Sequence, residues 1–433
     1  MYNIALVSDF FYPQPGGVEL HIYHLAQQLI QRGHSVVVVT HAYGHRQGVR
    51  TLTNGLKVYY IPFAVFYRES TYPTVFSAFP VLRNIFIREN IHIVHGHGSC
   101  SSLCHEAIIH ANTLGLKTVF TDHSLFGFAD VGSIIHNKLL KFTLTDIGHV
   151  ICVSHTCKEN TVLRANLDPS MVSVIPNAVV AEDFKPAAVK PSLNKITVVV
   201  ISRLFQNKGA DLLTAVIPRI CQSRNDIRFL VAGDGPKFVD LEQMREQYQL
   251  QDRVELIGSI RHEQVRDVMI KGQIYLHPSL TEAFGTVLVE AASCGLLVVT
   301  TNVGGIPEVL PSNMTVFASP EEDSLVNAVN TAVCKLKENQ IDTSTFHSQV
   351  KRMYDWSNVA KRTEKVYDTV FHQENLSAIN RIIKFYNCGS WAGMLFVLCI
   401  VVDMLILAVL EIVYPRDEID LAKKWPQKPK IVT

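Results

Sequence analysis

The sequence predicts two consecutive α/β domains with parallel, Rossmann-like sheets, followed by one strongly apolar helix. Three observations support this prediction: Val/Ile-rich strand patterns alternate with helical patterns, the alternation restarts near residue 190, and a long apolar run lies near the C-terminus. Strands that alternate with helices favour right-handed βαβ units. The 433 residues, 48% of them hydrophobic, are enough for two or three packed cores.

Residues 1–190 are predicted to form the N-terminal Rossmann-like lobe. It begins with a strand at 3–8 and a helix at 18–32. Further strands are expected at 35–40, 91–95, 118–122, 149–153 and 173–176. These runs are apolar without strict alternation, which is typical of strands covered on both faces.

Residues 191–344 are predicted to form a second Rossmann-like lobe, with a cleft between the two lobes. Its first strand is 195–201 (KITVVVI). The later strands are expected at 229–232, 254–257, 274–277, 297–301 and 315–317. Residues 345–385 follow as a polar, helical tail containing Trp356, which we expect to brace the first lobe.

Residues 391–413 are predicted to form one transmembrane helix. The run 392–410 has a single charge, Asp403, and lacks the polar stripe of an amphipathic helix. A bilayer core needs about 20 helical residues. Asp403 would cost roughly 2.5–3.5 kcal/mol at the bilayer centre, so we expect it to meet a polar partner helix. The alternative is a buried helix of a soluble domain.

Charge and cysteine content narrow the function classes and the compartment. The chain has 40 Lys and Arg residues and 39 Asp and Glu residues, so it has no excess of positive charge that would indicate nucleic-acid binding. Nine cysteines at irregular spacings suit a reducing compartment. Residues 1–9 lack a basic signal-peptide region, so we expect cytosolic lobes and, at 414–433, a short polar tail.

A glycine pair, Gly16 and Gly17, lies between the first predicted strand and helix, in the sequence PQPGGVE. Without side chains there, the backbone can approach a ligand, and the helix N-terminus offers free N–H groups. An ordinary βα turn is an equally good interpretation. The pattern is not G-x-G-x-x-G, which disfavours a nicotinamide cofactor.

Two cations, Arg203 and Lys208, follow the first strand of the second lobe in the sequence SRLFQNKG. Ligands of open α/β sheets bind at the carboxyl ends of strands, so both could face a nucleotide diphosphate. Arg supplies a bidentate fork and Lys a point charge. The alternative is a solvated loop with two surface cations.

Two carboxylates, Glu282 and Glu290, are separated by seven residues in TEAFGTVLVE. Glu282 is expected in the loop before a helix, and Glu290 inside that helix among Val and Ala residues, where a carboxylate usually has a partner. The backbone N–H groups of Phe284, Gly285 and Thr286 would open the helix and could bind a diphosphate.

Together these motifs resemble the retaining GT-B glycosyltransferases of glycosyltransferase family 4, over nearly the whole predicted cytosolic part. The match consists of the E-x7-E pair, the S-R-L-x-x-x-K-G element, and the sequences GDGP at 233–236, IPN at 175–177 and GGIPE at 304–308. The sequence departs from the family at Ala178 and Val180, where relatives often carry Gly and Asp. We assign no role to either residue.

More narrowly, SDFFYP at 8–13, HGH at 95–97 and TDHSLFGF at 121–128 resemble one branch of this family. That branch transfers N-acetylglucosamine from UDP-N-acetylglucosamine to phosphatidylinositol at the cytosolic face of the endoplasmic reticulum, as the first step of GPI-anchor biosynthesis. Its members work within multi-subunit complexes. The resemblance makes the first lobe the acceptor lobe and the second the sugar-nucleotide lobe.

The resemblance also implies roles for the site residues. Glu282 would contact the transferred sugar and Glu290 the ribose, whereas Arg203 and Lys208 would neutralise the departing diphosphate. From the first lobe, His123 would lie beside the anomeric centre, and the glycine pair would close over the phosphate. No D-x-D triplet occurs, so we expect no metal on the diphosphate and no cofactor.

Two further clusters have open interpretations. One contains zinc-ligand residue types at a spacing that matches no common zinc site, so a metal is the minority interpretation beside contact with the acceptor or a phosphate: His95, His97, Cys100, Cys104 and His105. The other, 62–88, interleaves aromatic and Arg residues and either rests on a lipid surface or fills the core.

Three other functions remain possible from the sequence. A membrane-bound transferase with a different sugar or lipid would carry the same motifs. A UDP-sugar 2-epimerase shares the two-lobe fold but needs no membrane helix. A non-catalytic scaffold protein of a membrane complex would have no need of the intact Glu and cation motifs.

Overall fold

The computed structural model describes residues 1–14, 16–189 and 192–423, which form two compact units. Unit 1 contains Met1–Pro176 and the chain from Trp356 onward, and unit 2 contains Asn177–Asp355. The boundaries thus differ from the predicted 190/191 and 344/345. Helix Phe346–Met353 packs on unit 2, and the chain returns to unit 1 at Trp356. Of the predicted tail 414–433, residues 424–433 lie outside the described range.

Unit 1 is built on one large sheet and one short two-stranded pair. The strands are β1 Asn3–Val7, β2 Ser35–His41, β3 Gly48–Thr51, β4 Lys57–Ile61, β5 Val65–Tyr67, β6 Ser70–Thr71, β7 Ile93–His97, β8 Lys117–Asp122, β9 His149–Cys152 and β10 Val172–Val174. The large sheet has eight strands in the order β10-β9-β8-β7-β1-β2-β4-β3. All its pairs are parallel except β3 with β4, so the expected parallel sheet ends in an antiparallel edge. Strands β5 and β6 pair separately.

Unit 2 is built on a six-stranded, all-parallel sheet. The strands are β11 Ile196–Ile201, β12 Ile227–Ala232, β13 Val254–Gly258, β14 Ile274–His277, β15 Leu297–Thr301 and β16 Thr315–Ala318. Their order in the sheet is β13-β12-β11-β14-β15-β16. The central strands are runs of buried, mostly β-branched residues, as the pattern predicted.

Helices cover both sheets, and several begin at a side-chain cap. Ser101, Asp130 and Ser154 each accept a hydrogen bond from a backbone N–H of the first turn of their helix. The helices are α1 Gly17–Gln31, α2 Phe79–Arg88, α3 Ser102–Thr113, α4 Val131–Leu144, α5 His155–Ala165, α6 Ala210–Ser223, α7 Phe238–Gln247, α8 His262–Met269, α9 Thr286–Ser293, α10 Glu322–Lys337, α11 Phe346–Met353, α12 Trp356–Phe371, α13 Ala378–Tyr386 and α14 Ser390–Val413.

The helices after Asp355 pack on unit 1. Helix α12 lies against α1 and β8, and Tyr367 of α12 contacts His95 of β7 through a 2.7 Å hydrogen bond. Helix α13 buries Arg381 against unit 1, where its guanidinium pairs with Asp146 at 2.6 Å. These contacts tie the end of the chain to the first sheet.

Helix α14, with 24 residues, is long and apolar enough to cross a membrane by length and composition. One side of it packs on unit 1, and the rest is largely exposed. Asp403 is buried there: its carboxylate lies 2.7 Å from His110 Nδ1 and also accepts a hydrogen bond from Thr113. The polar partner of Asp403 is therefore α3 of the same chain.

Candidate functional site

In unit 2, one residue from each of the two predicted motifs is found in a contact at the carboxyl ends of β11 and β14. Lys208 lies in a short 3-10 helix after β11, and Glu282 in the loop after β14. Their side chains form an ion pair, and both are about four-fifths buried, with 19% and 16% exposure. Two residues 74 positions apart thus share one small polar site.

Hydrogen bonds between loops hold this ion pair in place. The Leu280 N–H donates to the Asn207 carbonyl at 3.0 Å, which joins the loop of Glu282 to the loop of Lys208. The Gly305 N–H donates to the Glu282 carbonyl at 2.9 Å, so the GGIPE sequence supports the same loop. The side chains are therefore positioned by three loops at one edge of the sheet.

Glycines allow these loops to approach closely. A Cβ on Gly209 would lie 1.8 Å from the Pro278 carbonyl oxygen, and a Cβ on Gly233 would lie 1.9 Å from the Ser202 carbonyl oxygen. Both glycines also have a positive φ. The glycines that end the S-R-L-x-x-x-K-G element and begin GDGP are thus explained by packing of the site's own backbone.

Arg203 is exposed, and no side-chain partner is found for it in the part of the chain that the structure describes. Its guanidinium therefore remains available to an anion, unlike the Lys208 ammonium, which is paired with Glu282. The loop of Glu282 leads directly to the N-terminus of α9, where Gly285 is the N-cap and Thr286 the first helical residue. Free N–H groups at such an end favour a phosphate.

Glu290 is buried in α9, with 8% exposure, and its carboxyl has no hydrogen-bond partner among the described residues. Burial raises the pKa of this carboxyl from 4.5 to about 7. An isolated buried carboxylate is costly, so the site favours a ligand that donates hydrogen bonds to Glu290. The sequence analysis had likewise indicated that a carboxylate at position 290, among Val and Ala residues, needs a partner.

His277, at the end of β14, is a site residue that the sequence analysis missed. Its imidazole is buried, and burial lowers its pKa to about 4, with Glu282 opposing and Lys208 adding to the shift. Its Nε2 has no hydrogen-bond partner among the described residues. The sequence signal that could have identified His277 is its position at the carboxyl end of a predicted parallel strand, where ligands bind.

In unit 1, His123 follows β8 at the start of a loop that leads to α4. The loop is anchored by Asp122, which is fully buried. The Asp122 carboxylate pairs with Arg164 at 2.9 Å and accepts hydrogen bonds from Ser99 Oγ at 2.8 Å and Thr161 Oγ1 at 3.0 Å. Asp122 therefore positions His123 through the backbone, a role that the sequence analysis did not assign.

Three histidines from α1, β7 and the loop after β8 meet at this point. His97 Nδ1 lies 3.3 Å from His123 Nε2, and the His21 ring centroid lies 4.7 Å from that of His123. Burial and the neighbouring imidazoles hold the pKa values of His97 and His123 well below the ordinary value. His97 and His123 are therefore neutral at physiological pH and can donate or accept hydrogen bonds.

Among the described residues, the zinc-ligand residue types at 95–105 do not form a metal-binding group of their own. His95 bonds to Tyr367 and Thr121, and His105 Nε2 bonds to the Ser99 carbonyl at 2.7 Å. Cys100 precedes α3, whereas Cys104 lies on it. Instead, one ligand atom each from His21, His97 and His123 lies within 4.8 Å of the others, a spacing that could hold a metal ion.

The glycine pair lies where α1 begins: Gly16 is the N-cap and Gly17 the first helical residue. A Cβ on Gly16 would lie 2.2 Å from Glu19 Oε2, whereas a Cβ on Gly17 would meet no atom within 4 Å. The Glu19 carboxylate thus folds over the helix N-terminus, where an acidic group is favoured. A phosphate at this end would require Glu19 to move.

The aromatic and basic stretch 62–88 divides between core and surface. Phe79, Arg83 and Phe86 are fully buried in unit 1. Phe66 and Tyr67 are exposed, at 66% and 59%. The core interpretation is therefore correct for the part of the stretch that lies in α2 and for Phe63, which packs against that core, whereas Phe66 and Tyr67 remain free to meet a surface.

Comparison with known proteins shows the family. A family model described as PIGA (GPI anchor biosynthesis) matches residues 41–130, and one described as glycosyl transferases group 1 matches 182–342. The phosphatidylinositol N-acetylglucosaminyltransferase gpi3 subunit of Schizosaccharomyces pombe is 64% identical over 96% of this chain and 91% of its own length. The corresponding protein of Homo sapiens, also named as part of a phosphatidylinositol N-acetylglucosaminyltransferase, is 52% identical over 97% of this chain and 87% of its own length. The chain belongs to this family of transferase subunits.

Solved structures of lower identity show the fold of this family member. Sucrose-phosphate synthase from Thermosynechococcus elongatus matches with a TM-score of 0.70 and 19% identity, covering 86% of this chain and 99% of that one. Anabaena HepE, solved with UDP and glucose, matches with a TM-score of 0.66 and 17% identity over 85% of this chain and all of its own. The predicted GT-B fold is confirmed.

Proposed function

We propose that this chain transfers N-acetylglucosamine from UDP-N-acetylglucosamine to phosphatidylinositol, with retention of anomeric configuration, in the first step of GPI-anchor biosynthesis. The observation that carries the proposal is the 52% and 64% identity, over nearly the whole chain, to subunits named for transfer of this sugar to this lipid. The chain is accordingly a hexosyltransferase. The donor nucleotide and the stereochemistry are the finer parts of the proposal.

The leaving diphosphate is stabilised by residues of unit 2. Breaking the anomeric C–O bond builds negative charge on the diphosphate, and preorganised cations and N–H groups stabilise such charge. Arg203 is available for this, and Lys208 becomes available when Glu282 turns from the ammonium to the sugar. The N–H groups of Phe284, Gly285 and Thr286 supply the remaining donors at the start of α9.

The two carboxylates of the E-x7-E pair have different tasks. Glu282 accepts hydrogen bonds from hydroxyl groups of the transferred sugar, and its pairing with Lys208 links sugar binding to release of that cation. Glu290 accepts from the ribose hydroxyls. The burial of its carboxyl, which has no protein partner among the described residues, supports this role, because a diol would satisfy both carboxylate oxygens.

Unit 1 contributes His123, which binds the sugar beside the anomeric centre, and the backbone at Gly16 and Gly17, which binds phosphate once the Glu19 carboxylate has moved away. His97 sets the orientation and tautomer of the His123 imidazole through their 3.3 Å contact. The reaction proceeds by same-face attack, in which the leaving phosphate takes the proton of the inositol hydroxyl. A glycosidase-type pair of carboxylates is not required for this route.

The chain works at the endoplasmic reticulum membrane as one component of a larger transferase, with its two lobes on the cytosolic side and α14 as its single membrane helix. The names of the relatives as subunits and the exposed apolar surface of α14 support this location. Phosphatidylinositol is itself a membrane lipid, so the acceptor is reached at the bilayer surface.

The test is transfer of labelled N-acetylglucosamine from its UDP donor into phosphatidylinositol, in membranes of cells that lack their own catalytic subunit but retain its partners. The unchanged chain and Glu242→Ala, a change on the exposed face of α7, should both form the lipid product. Glu282→Ala should not. If the unchanged chain is present in the membranes and forms no product, this donor–acceptor pair is wrong, and other sugar nucleotides are screened next.

A further inference from the structure

Helix α4 of unit 1 has an exposed face of aliphatic side chains. Val131 is 73% exposed and Ile135 65%, and Ile134 and Leu139 are partly exposed, at 45% and 38%. Phe128, just before the helix, is 52% exposed. Large apolar side chains scattered singly over a surface are normal, but a group on one helix face marks an interaction site.

The two faces of α4 are cleanly separated. At 100° per residue, positions 131, 134, 135, 138, 139 and 142 fall on one side of the helix, within about 140°. The buried residues include Ser133, Asn137, Leu140 and Leu144 on the opposite side. The polar member Asn137 is satisfied within the fold, since it bonds to Arg164 and Gly127. The helix is therefore amphipathic with an apolar side outward.

This exposed face is continuous with the helices of the apolar C-terminal segment. Phe142 continues the line of Ile135 and Leu139, and its ring lies 5.5 Å from Phe385 of α13 and 4.7 Å from Phe396 of α14. Lys141 Nζ also donates to the Cys388 carbonyl, between α13 and α14, at 3.1 Å. The medium that surrounds the first turns of α14 therefore also contacts the exposed face of α4.

The neighbouring helices are apolar toward the outside as well. On α13, Ile379 and Ile383 are 70% and 52% exposed, while Arg381 and Phe385 are buried against unit 1. Along α14 the exposed apolar residues are Trp391, Met394, Leu395, Leu398, Leu405, Val409, Ile412 and Val413. Three adjacent helices thus present apolar side chains to their surroundings.

The charge of α4 suits a lipid surface. Its fourteen residues include no Asp or Glu and two lysines, Lys138 and Lys141. Lys138 lies within the apolar face, where a long side chain can extend its ammonium to headgroup phosphates while its methylene groups remain among apolar neighbours. Amphipathic helices that lie in a membrane interface combine these features.

We propose that the exposed face of α4, formed by Val131, Ile134, Ile135 and Leu139, inserts together with the preceding Phe128 into the lipid leaflet beside α14. Three helices, α4, α13 and α14, then attach unit 1 to the membrane surface, instead of α14 alone. The inference rests on the membrane location given under the proposed function. It has a consequence for catalysis: the loop between His123 and α4 is held at headgroup level, so an inositol headgroup reaches His123 without the lipid leaving the bilayer.

The direct test is photo-crosslinking of the full chain in native membranes. A benzoylphenylalanine residue at position 135 should crosslink to lipid that carries a clickable acyl chain. The same residue at position 49 should not, because Val49 lies on β3, at the far edge of the sheet, although it is also half exposed. The proposal is overturned if position 135 crosslinks to another protein, or if it crosslinks to lipid no more than position 49 does.

Activity provides a second, independent measurement. The double change Val131→Asp with Ile135→Asp should lower transfer to long-chain phosphatidylinositol in vesicles by about tenfold or more, since each aliphatic side chain loses its burial in lipid. Transfer to a water-soluble, short-chain phosphatidylinositol should stay within about twofold of the unchanged chain. Val49→Asp should leave both activities unchanged.

The outcomes separate this proposal from the proposed function. Equal losses with both acceptors would overturn the membrane-docking role, because a docking surface matters only for an acceptor that is held in a bilayer. No transfer by the unchanged chain to either acceptor would refute the proposed reaction instead. The crosslinking at position 135 still decides the docking surface in that case, because it does not depend on activity.

Discussion

Replacing Glu290 by Gln should remove a pH dependence from nucleotide binding. In the free protein the carboxyl is buried without a hydrogen-bond partner among the described residues, and its pKa is raised from 4.5 to about 7. A ribose diol that donates hydrogen bonds to the carboxylate requires the ionised form. Binding below pH 7 must therefore release a proton, which weakens it, and the affinity should rise with pH until it levels off above about pH 7.

The magnitude follows from this pKa. With a pKa of about 7, the Glu290 carboxyl is about 90% ionised at pH 8 and about 3% ionised at pH 5.5. The ratio of the UDP affinity of the unchanged chain to that of Glu290→Gln should thus fall about thirtyfold from pH 8 to pH 5.5. Titration of the UDP phosphate itself cancels in the ratio.

The assay is calorimetric titration of the full chain, in detergent micelles, with UDP. At pH 6, binding in two buffers of different ionisation enthalpy should reveal release of about 0.9 proton from Glu290, which Glu290→Gln should not release. Glu242→Gln, an exposed change on α7, is the matched control and should keep the profile of the unchanged chain. An affinity ratio that does not vary with pH would refute the reasoning that places the ribose at Glu290.

Three further changes test other parts of the structure. Lys208→Met should lower transfer about hundredfold or more, because a cation is lost from the leaving diphosphate. The exposed control Lys271→Met should keep full activity. Equal losses in the two variants would contradict the role of Lys208 at the diphosphate. Gly233→Ala should destabilise unit 2 by about 1–3 kcal/mol or more, because the new Cβ would collide with a backbone carbonyl. Resistance to protease in urea measures this loss, and an unchanged resistance would be inconsistent with the collision. Asp403→Leu should release α14 from unit 1, at a cost of about 1–3 kcal/mol, because it leaves a buried imidazole without its hydrogen-bond partner. Limited proteolysis between α13 and α14 should detect this release, and a second change, His110→Leu, should restore protection.

Much of the fold was predictable because local pattern and final environment agree. The strands at 274–277 and 297–301 are found at the predicted residues, since each is a short apolar run buried on both faces of a parallel sheet. Strands β3 and β4 were not predicted. Half of this pair, Gly48–Thr51, is exposed along its length, so it lacks the apolar pattern that identifies a buried strand. Its strand conformation depends on pairing with β4 at the sheet edge.

The candidate site was predictable in its components and less so in its connections. Glu282 and Lys208 were recognised because each follows a strand of a parallel sheet, where ligands bind. That they pair with each other depends on the order β11-β14 in the sheet, which no local pattern specifies. The imidazole group around His123 was missed for the same reason, because His21 and His97 come from two other elements.

By itself, the amino-acid sequence determined the order of most strands and helices, the two α/β units, the apolar C-terminal helix and the motifs that follow particular strands. These depend on residues close together in the chain, whose propensity and spacing act locally. Only the tertiary structure decided that Asp403 pairs with His110, 293 positions away, that Glu290 is buried with no partner among the described residues, and that α4 turns an apolar side outward. Such features depend on which distant surfaces exclude water from one another, and burial of this kind is a property of the folded chain and not of any segment.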